Sequence, residues 1–498
     1  MAKPRKLLVF SINLHFSSRI NPVLEDAMKE FVQNNYKTRH NFRARMIVRV
    51  GASAARIVML FVLLSAGSPP SGNWAGLSRS GAHAAEDPDS ASKYEKAKTK
   101  RRHAVGQQCG KKLEQIQAEL EGERWSQARS LLTAALDSAC KSSYEKSQVW
   151  NFLAYTYYSM DSFREAINSY KKVIAEPETD ERMKTSVYYS IAQLYFAVED
   201  YKNAAYFLET WMKESDVIGA DGKVMLAQAY YQLNRKTDSL RFVGEAIDDW
   251  QKGGKIPKEN WWGLQRVLYY DKKDYRRVVE VLKKLIKHYP KYSYWRQLGG
   301  MYGELDQDIN QLIANEVLYL GGAELKEKEL LGLAYLFMGA DSPYLAAKGV
   351  EKGIKDSVIQ VTAKNMEFLG QVWQQAQEGE KARAALEQAA KLSDQGKIWA
   401  RLAGVYLDIG EDAKAVRASR NALNKGGLKR NDLTYMVMGN AQLNLNCHNE
   451  AIKAFEKAAE DKRSSKFADK WIEYSRREGS RRGKLIEMGA KIEGCARA

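Results

Sequence analysis

The chain offers few residues whose type and spacing could carry out catalysis. It has six histidines in 498 residues, and none of them stands in an H-E-x-x-H or comparable metal-binding pattern. Cys447 and His448 form a cysteine–histidine pair, but adjacent residues normally point apart, and the acidic pair Asp248 and Asp249 is typical of a solvated turn. No phosphate-binding glycine loop and no G-x-S-x-G nucleophile motif occurs in the sequence. We therefore expect no enzyme activity, no metal and no cofactor.

Aromatic and amide side chains are the stronger candidates for a functional surface. Rings and amides on one surface suit the binding of an extended or helical peptide segment from a protein partner. The alternative is that some of these rings only pack against the neighbouring helices. The candidate partner-binding residues are Asn151, Tyr155, Tyr158, Tyr189, Gln193, Phe196, Gln228, Tyr231 and Tyr270.

These candidates lie within a repeated helical pattern. Trp150, Leu153, Ala154 and Tyr157 have the spacing of one helix face, and a second amphipathic run begins at Phe163. The order of large and small residues matches the tetratricopeptide signature, W-x2-L-G-x2-Y followed by A-x3-F in the next helix. The candidate residues are the first-helix positions that the signature does not use, which face the groove in such repeats.

The signature recurs along the chain and predicts its fold class. We count about ten units from Lys111 to Lys462, at spacings of 33 to 39 residues. One of them is read from Leu331, Gly332 and Tyr335, with a short insertion before Ala347. The pattern predicts an all-α protein, an α-solenoid superhelix of tetratricopeptide-like hairpins, closed by a C-terminal capping helix around Phe467–Glu478.

The four cysteines favour an oxidising compartment. Cys109 and Cys140 flank the first predicted hairpin, and Cys447 and Cys495 flank the last helical region. The start of one helix of an antiparallel hairpin lies near the end of the other, so a disulfide within each pair would clamp an end of the array. The alternative is four free or buried thiols.

The N-terminal region resembles an export signal. An apolar run, Ile57 to Ala66, follows Arg49 and Arg56 and leads to an A-x-A site ending at Ala84. We expect residues 1–85 to comprise a mis-started N-terminus and a signal peptide, with translation from Met46 and cleavage after Ala84. Residues 86–110 would be a basic linker, 111–463 the solenoid, and 464–498 the capping helix and a basic tail. The alternative is an uncleaved anchor in the inner membrane, and both place the body outside the cytoplasm.

The net charge of +17 does not indicate nucleic-acid binding. Residues 1–85 hold twelve Lys or Arg and three acids, so +9 lies there and 17 − 9 = +8 is spread over the remainder. Much of that excess sits near the two ends of the remainder. Basic ends on a mixed-charge body indicate solubility or contact with an anionic surface, so proximity to a membrane fits and a nucleic-acid partner is not expected.

The C-terminal stretch carries a more specific resemblance. The patterns A-L-x-K-G-G-L, F-x-K-A-x-x-D-x-R-S and A-x-x-W-I-x-Y appear at Ala422–Leu428, Phe455–Ser464 and Ala468–Tyr474. In these the chain resembles tetratricopeptide proteins assigned to TonB energy-transduction systems. The resemblance implies a periplasmic scaffold that works with a TonB, ExbB and ExbD complex in outer-membrane uptake, often of iron chelates. It implies no defined binding residues and no small-molecule substrate. A general cell-envelope assembly scaffold, for peptidoglycan or outer-membrane machinery, is the alternative.

Overall fold

The computed structural model describes residues 104–496. These residues form 21 α-helices and no β-strand, which confirms the predicted all-α fold. No helix in this described part is both long and apolar enough to cross a membrane. The predicted leader, the Ala84 cleavage site and residues 86–103 of the basic linker lie outside the described residues. The proposed domain boundaries stay predictions.

The described chain divides into two compact units, residues 104–268 (the N-terminal unit) and residues 269–496 (the C-terminal unit). Helix α9 contains the boundary. The helices from the start of the N-terminal unit to that boundary are α1 Gln107–Glu121, α2 Trp125–Ser138, α3 Ser143–Ser159, α4 Phe163–Ala175, α5 Glu181–Ala197, α6 Tyr201–Glu214, α7 Ala220–Gln232, α8 Lys236–Lys252 and α9 Glu259–Asp271.

The C-terminal unit continues the same alternation of first and second helices and ends in one longer helix. Its helices are α10 Tyr275–His288, α11 Tyr292–Glu304, α12 Asp308–Gly321, α13 Glu327–Gly339, α14 Pro343–Lys355, α15 Ala363–Gln375, α16 Gly379–Lys391, α17 Gly396–Asp408, α18 Asp412–Lys425, α19 Asn431–Asn444, α20 His448–Ala459 and α21 Lys462–Glu487. Taken in pairs from α1, the helices give ten hairpins, followed by α21, which packs on α20 and α19. The predicted solenoid of about ten hairpins with a capping helix is confirmed.

Small residues let the two helices of each hairpin approach closely. Ala154 and Ala166 of the second hairpin are fully buried. At the equivalent place in α15, a Cβ on Gly370 would lie 2.5 Å from Cγ of Leu386 in α16, so only glycine fits. Large apolar residues around these contacts fill the space between successive hairpins, which is how a repeat array builds one core from neighbour contacts.

The turn between the two helices has the same backbone in all ten hairpins. One residue in each turn has a positive φ, and nine of the ten are not glycine: Glu123, Asp161, Glu199, Asn234, Lys273, Asp306, Asp341, Gln377 and Asn446, with Gly410 as the tenth. The next residue donates its N–H to the carbonyl of the last signature residue, as Ser162 does to Tyr157 at 2.9 Å. The left-handed conformation turns the chain so that backbone N–H groups of the turn satisfy carbonyls at the end of the first helix.

The structure corrects the register predicted for the seventh hairpin. Leu330, Leu333, Ala334 and Phe337 are buried and fill the signature positions, so the reading from Leu331, Gly332 and Tyr335 was wrong by two residues. No insertion is present, because Phe337 and the buried Ala346 are nine residues apart, as are Tyr157 and Ala166 in the second hairpin. Tyr335 is 59% exposed.

A buried polar cluster ties the capping helix to the last hairpin. Asp432 at the start of α19 is 3% exposed, pairs with Arg430 and accepts a 2.5 Å hydrogen bond from the hydroxyl of Ser464 in α21. These contacts hold the pKa of Asp432 far below its usual range, Arg430 contributing most. Nearby, the ring of Trp471 in α21 stacks on Phe455 of α20 at 6.0 Å.

Candidate protein-interaction surface

The candidate residues lie on the first helices of successive hairpins. We call the side of those helices that faces away from the second helices the first-helix face. In the N-terminal unit α1 contacts α3, and Gln148 of α3 donates to Sδ of Met183 in α5 at 3.7 Å. In the C-terminal unit α17 contacts α19. Residues of the first-helix face on consecutive hairpins therefore line one surface within each unit.

The N-terminal unit carries eight of the nine candidates, on α3, α5 and α7. Tyr155 and Tyr158 are the most exposed of these rings, at 42% and 52%. The remaining six, Asn151, Tyr189, Gln193, Phe196, Gln228 and Tyr231, are half-buried. Tyr270 is 50% exposed and belongs to the C-terminal unit, so it is described apart from the other eight.

Some candidate rings at the end of the first helix also contact the second helix of their own hairpin. The ring centroids of Tyr158 and Phe163 are 6.1 Å apart. Phe196 meets Tyr201 edge to face at 5.1 Å, and Tyr270 lies 5.9 Å from Tyr275 with the two rings tilted. These rings therefore help to close the hairpin turn while one side stays open to solvent, which fits the alternative interpretation in part.

Tyr189 and Tyr155 differ in what they touch. Tyr189 packs on Trp211 of α6 at 4.9 Å between ring centroids, and burial is the main cause that raises the pKa of its hydroxyl. Tyr155 reaches back to the preceding hairpin and meets Trp125 edge to face at 6.0 Å. Tyr189 is thus largely a packing residue, whereas Tyr155 is held in place by a ring and remains accessible.

Three amides on this surface are available to a partner. The side chains of Asn151, Gln193 and Gln228 are half-buried and make no hydrogen bond to any other described residue. Each amide offers donors and an acceptor, the complement of a peptide backbone. Because Gln193 and Gln228 occupy the same position on consecutive hairpins as Tyr155, they continue one row of polar and aromatic groups.

The first-helix face of the C-terminal unit is built differently. Its charged side chains pair across hairpins: Arg296 in α11 pairs with Glu329 in α13. Glu367 in α15 takes Lys397 at 3.3 Å and Arg401 at 3.9 Å, both in α17. Of its amides, Gln374 donates to Asp408 at 3.3 Å, while Gln371 and Asn440, at the position of Gln193 and Gln228, form no hydrogen bond to another described residue.

Tyr335 is a surface aromatic of this unit that the predicted site did not include. Its ring is tilted against that of Phe368, with 4.6 Å between ring centroids. The incorrect register assigns Tyr335 to a core position, which excludes it from the predicted surface. The sequence signal that could have found it is Phe337, which lies two residues later and can fill that core position instead.

The structure pairs all four cysteines. Cys109 bonds to Cys140 across the first hairpin, closing 31 residues, and Cys447 bonds to Cys495, closing 48 residues. The group of potential metal ligands found in the described part of the chain, Cys447, Glu450 and Cys495, contains this second disulfide. Its sulfurs are therefore not the thiolates that bind zinc.

Part of the N-terminal unit resembles a known protein family. The C-terminal domain of the RNPP family matches residues 114–254. No curated protein matches the chain. Solved structures that are similar include MamA, with 22% identity over 35% of this chain and 94% of that one, TM-score 0.30.

Two further solved structures are tetratricopeptide proteins. One is from Parabacteroides merdae, with 14% identity over 58% of this chain and 94% of that one, TM-score 0.31. The other is YrrB, described as having an unusual peptide-binding site, with 12% identity over 39% and 93%, TM-score 0.31. The recurring signature and the ten hairpins define the class: this is a tetratricopeptide-like repeat protein, a fold of the protein-interaction scaffold type.

Proposed function

We propose that the protein is a non-enzymatic periplasmic scaffold that captures a protein segment on the first-helix face of its N-terminal unit. The observation that carries the proposal is the row formed by Tyr155, Gln193 and Gln228, in which an exposed ring stands beside amides with no partner in the described chain. An extended segment laid along this row would pair its backbone with the amides and place a side chain against the ring.

Export is part of the proposal and rests on two supports. The first is the leader read from the sequence, with its A-x-A site at Ala84. The second is that both cysteine pairs are placed as disulfides, which persist in oxidising compartments such as the periplasm and are rare in the cytosol. Fractionation and N-terminal sequencing of the mature chain test this directly. A first residue at Ala85 in the periplasmic fraction is expected, and a cytoplasmic chain would contradict it.

The finer proposal is that the partner belongs to a TonB, ExbB and ExbD complex in the inner membrane. It is supported by the C-terminal patterns Ala422–Leu428, Phe455–Ser464 and Ala468–Tyr474. Under iron limitation, we expect a deletion strain to lose TonB-dependent uptake of an iron chelate, and a plasmid copy to restore it. Unchanged uptake in the deletion strain would contradict this role.

A general scaffold for envelope assembly is the alternative, because the same surface could hold a segment of a wall synthase or an outer-membrane assembly factor. Affinity purification after crosslinking in living cells separates the two proposals. TonB-system proteins in the crosslinked fraction support the first, and wall synthases or assembly factors support the second.

A further inference from the structure

One contact between hairpins recurs along the array. The last residue of the W-x2-L-G-x2-Y signature, the Y position, faces the second helix of the preceding hairpin. The side chain at the Y position contacts a residue of that second helix, namely the one fourteen places after the Y position of the preceding hairpin. Tyr230 donates its hydroxyl to Glu209 at 2.5 Å, and Tyr406 donates to Glu387 at 2.7 Å. We call these two contacts the Tyr–Glu pairs. Burial, together with the hydrogen bond to Glu209, raises the pKa of Tyr230 to about 12.

The last hairpin carries neither partner of a Tyr–Glu pair. Hairpins two to nine all carry an aromatic ring at the Y position, namely Tyr157, Tyr195, Tyr230, Tyr269, Tyr302, Phe337, Trp373 and Tyr406. The tenth hairpin carries Gln442 instead, and the residue opposite it in α18 is Arg420. The tenth hairpin therefore has an amide and a cation where the fourth and ninth hairpins have a ring and a carboxylate.

A cavity of about 410 Å³ lies at this place, between α18, α19 and α20. Gln442 is at its base, 7% exposed, and its side-chain oxygen is buried without a hydrogen-bond donor among the described residues. Leu423, Met438 and Ala454 supply apolar lining. The volume is within the range of small-ligand sites, about 300 to 1,000 Å³.

The rim of the cavity is mainly cationic. It carries Arg420, Lys453, Lys457 and one acid, Glu450. Lys457 is paired with Glu460 at 2.7 Å, whereas Arg420 and Lys453 form no ion pair with another described residue. Two cations are therefore available to bind an anionic group at the mouth of a partly apolar cavity.

We propose that this cavity binds a carboxylate attached to a ring-sized apolar group, because such a ligand supplies what a Tyr–Glu pair supplies in the fourth and ninth hairpins. The carboxylate lies against Arg420, the apolar group takes the place of the ring, and an N–H or O–H of the ligand bonds to the oxygen of Gln442. A peptide C-terminus ending in an aromatic residue and a free hydroxylated arylalkanoate share this chemistry. The site is on the second-helix side of the C-terminal unit and does not depend on the proposed function of the N-terminal unit.

Calorimetric titration of the full chain with N-acetylphenylalanine and with its amide tests the proposal. We expect the acid to bind at least tenfold more tightly than the amide, because only the acid carries the charge that Arg420 attracts. Titration with 3-phenyllactate, a free acid that keeps an O–H donor, separates the two sources. Equal affinity for 3-phenyllactate indicates a site for free acids, and preference for the peptide acid indicates a peptide C-terminus. Equal binding of acid and amide, or binding of neither, would overturn the proposal.

Variants at the two replaced positions give the controls. Arg420→Gln lies on the exposed rim and should weaken binding of the acid about tenfold without changing the melting temperature. The double variant Gln442→Tyr with Arg420→Glu rebuilds a Tyr–Glu pair and should abolish binding while keeping or raising the melting temperature. Arg417→Gln, which removes an exposed cation of α18 outside the cavity lining, serves as the matched control and should leave acid binding unchanged. Acid binding by the rebuilt variant as tight as by the natural chain would also overturn the proposal.

Discussion

The two units share one hairpin design but use their first-helix faces differently. In the N-terminal unit this face carries rings and amides, and Asn151, Gln193 and Gln228 bond to no other described residue. In the C-terminal unit it carries charges that pair across hairpins, such as Glu367 with Lys397 at 3.3 Å. The signature residues form the core of each unit. What differs is how much of the face is occupied by contacts within the chain and how much is left to a partner.

This difference separates stability from function along one array. The buried signature residues determine the hairpin, so the face residues are free to vary. Face residues that form ion pairs add a small, salt-dependent stability. Face residues that are amides or tyrosines add groups for recognition, and their loss should cost little stability. The following predictions test that distinction in order of decreasing effect.

Shortening a core residue should damage both units alike. Leu153 in α3 and Leu402 in α17 hold the same signature position and are 4% and 1% exposed. Leu153→Ala and Leu402→Ala should each lower the free energy of unfolding by about 2 to 5 kcal/mol, from lost burial and an incompletely filled cavity. Urea unfolding followed by circular dichroism measures it. A cost below about 1 kcal/mol in one unit only would show that the units do not share the same core.

Lowering the pH should reduce the stability of both units, in each case through a buried carboxylate. Glu145, 8% exposed in the N-terminal unit, accepts backbone N–H groups of Gly106 and Lys141 at 2.8 and 2.9 Å. Burial acts to raise its pKa, but these bonds and those from Ser142 outweigh it and the pKa is lowered. Asp432 in the C-terminal unit has a lowered pKa as well.

Lowered pKa values mean that these groups stabilise the fold above the unfolded pKa, about 4, and that this stability is lost as the pH falls below it. Glu145→Gln and Asp432→Asn should each cost about 1 to 3 kcal/mol at pH 7. The gap to the natural chain should narrow toward pH 3. Unfolding in urea at both pH values measures it, and a gap that widens at pH 3 would contradict the assignment.

Removing a face residue should distinguish the units. Glu367→Ala in the C-terminal unit should cost about 0.5 to 1 kcal/mol at low salt and less in 1 M salt, because it loses two cross-hairpin ion pairs. Gln228→Ala in the N-terminal unit should cost less than about 0.5 kcal/mol at any salt concentration. Thermal unfolding at two ionic strengths provides the test. A larger, salt-sensitive loss for Gln228→Ala would break the comparison.

Glycine at the left-handed turn residue should stabilise both units, by a small and similar amount. Glu199 in the N-terminal unit and Asp306 in the C-terminal unit have φ of 61° and 53°, a region that costs L-residues energy but suits glycine. Glu199→Gly and Asp306→Gly should each raise the free energy of unfolding by about 0.5 kcal/mol, part of the gain being offset by the freer unfolded chain. Destabilisation by either change would indicate that its side chain has a role beyond the turn.

The sequence predicts the architecture well because the signature is repeated. Spacing alone identifies the helices, the number of hairpins and the residues that form their core. The error at the seventh hairpin arose where Leu330 to Phe337 satisfies the pattern in two overlapping registers. The constant distance of nine residues between Phe337 and Ala346 would have decided between them.

The surface is less predictable, because its contacts depend on how one hairpin lies on the next. Tyr158 and Phe196 were read as groove residues, yet their rings also close their own turns. The ion pairs of Glu367 and the cavity at Gln442 join residues from different hairpins, and no single repeat reveals them. Comparing the same position across all hairpins does reveal Gln442, since it stands where eight other hairpins have a ring.

Site-specific photo-crosslinking in living cells tests the central claim most directly. A benzophenone amino acid replaces Tyr155 on the first-helix face of the N-terminal unit, Gln374 on that of the C-terminal unit, or Tyr206, which is 61% exposed on the second helix α6. The account predicts a discrete adduct with one partner from position 155, and much lower yield from positions 374 and 206. Equal yields at all three positions, or an adduct from position 206 alone, would contradict it.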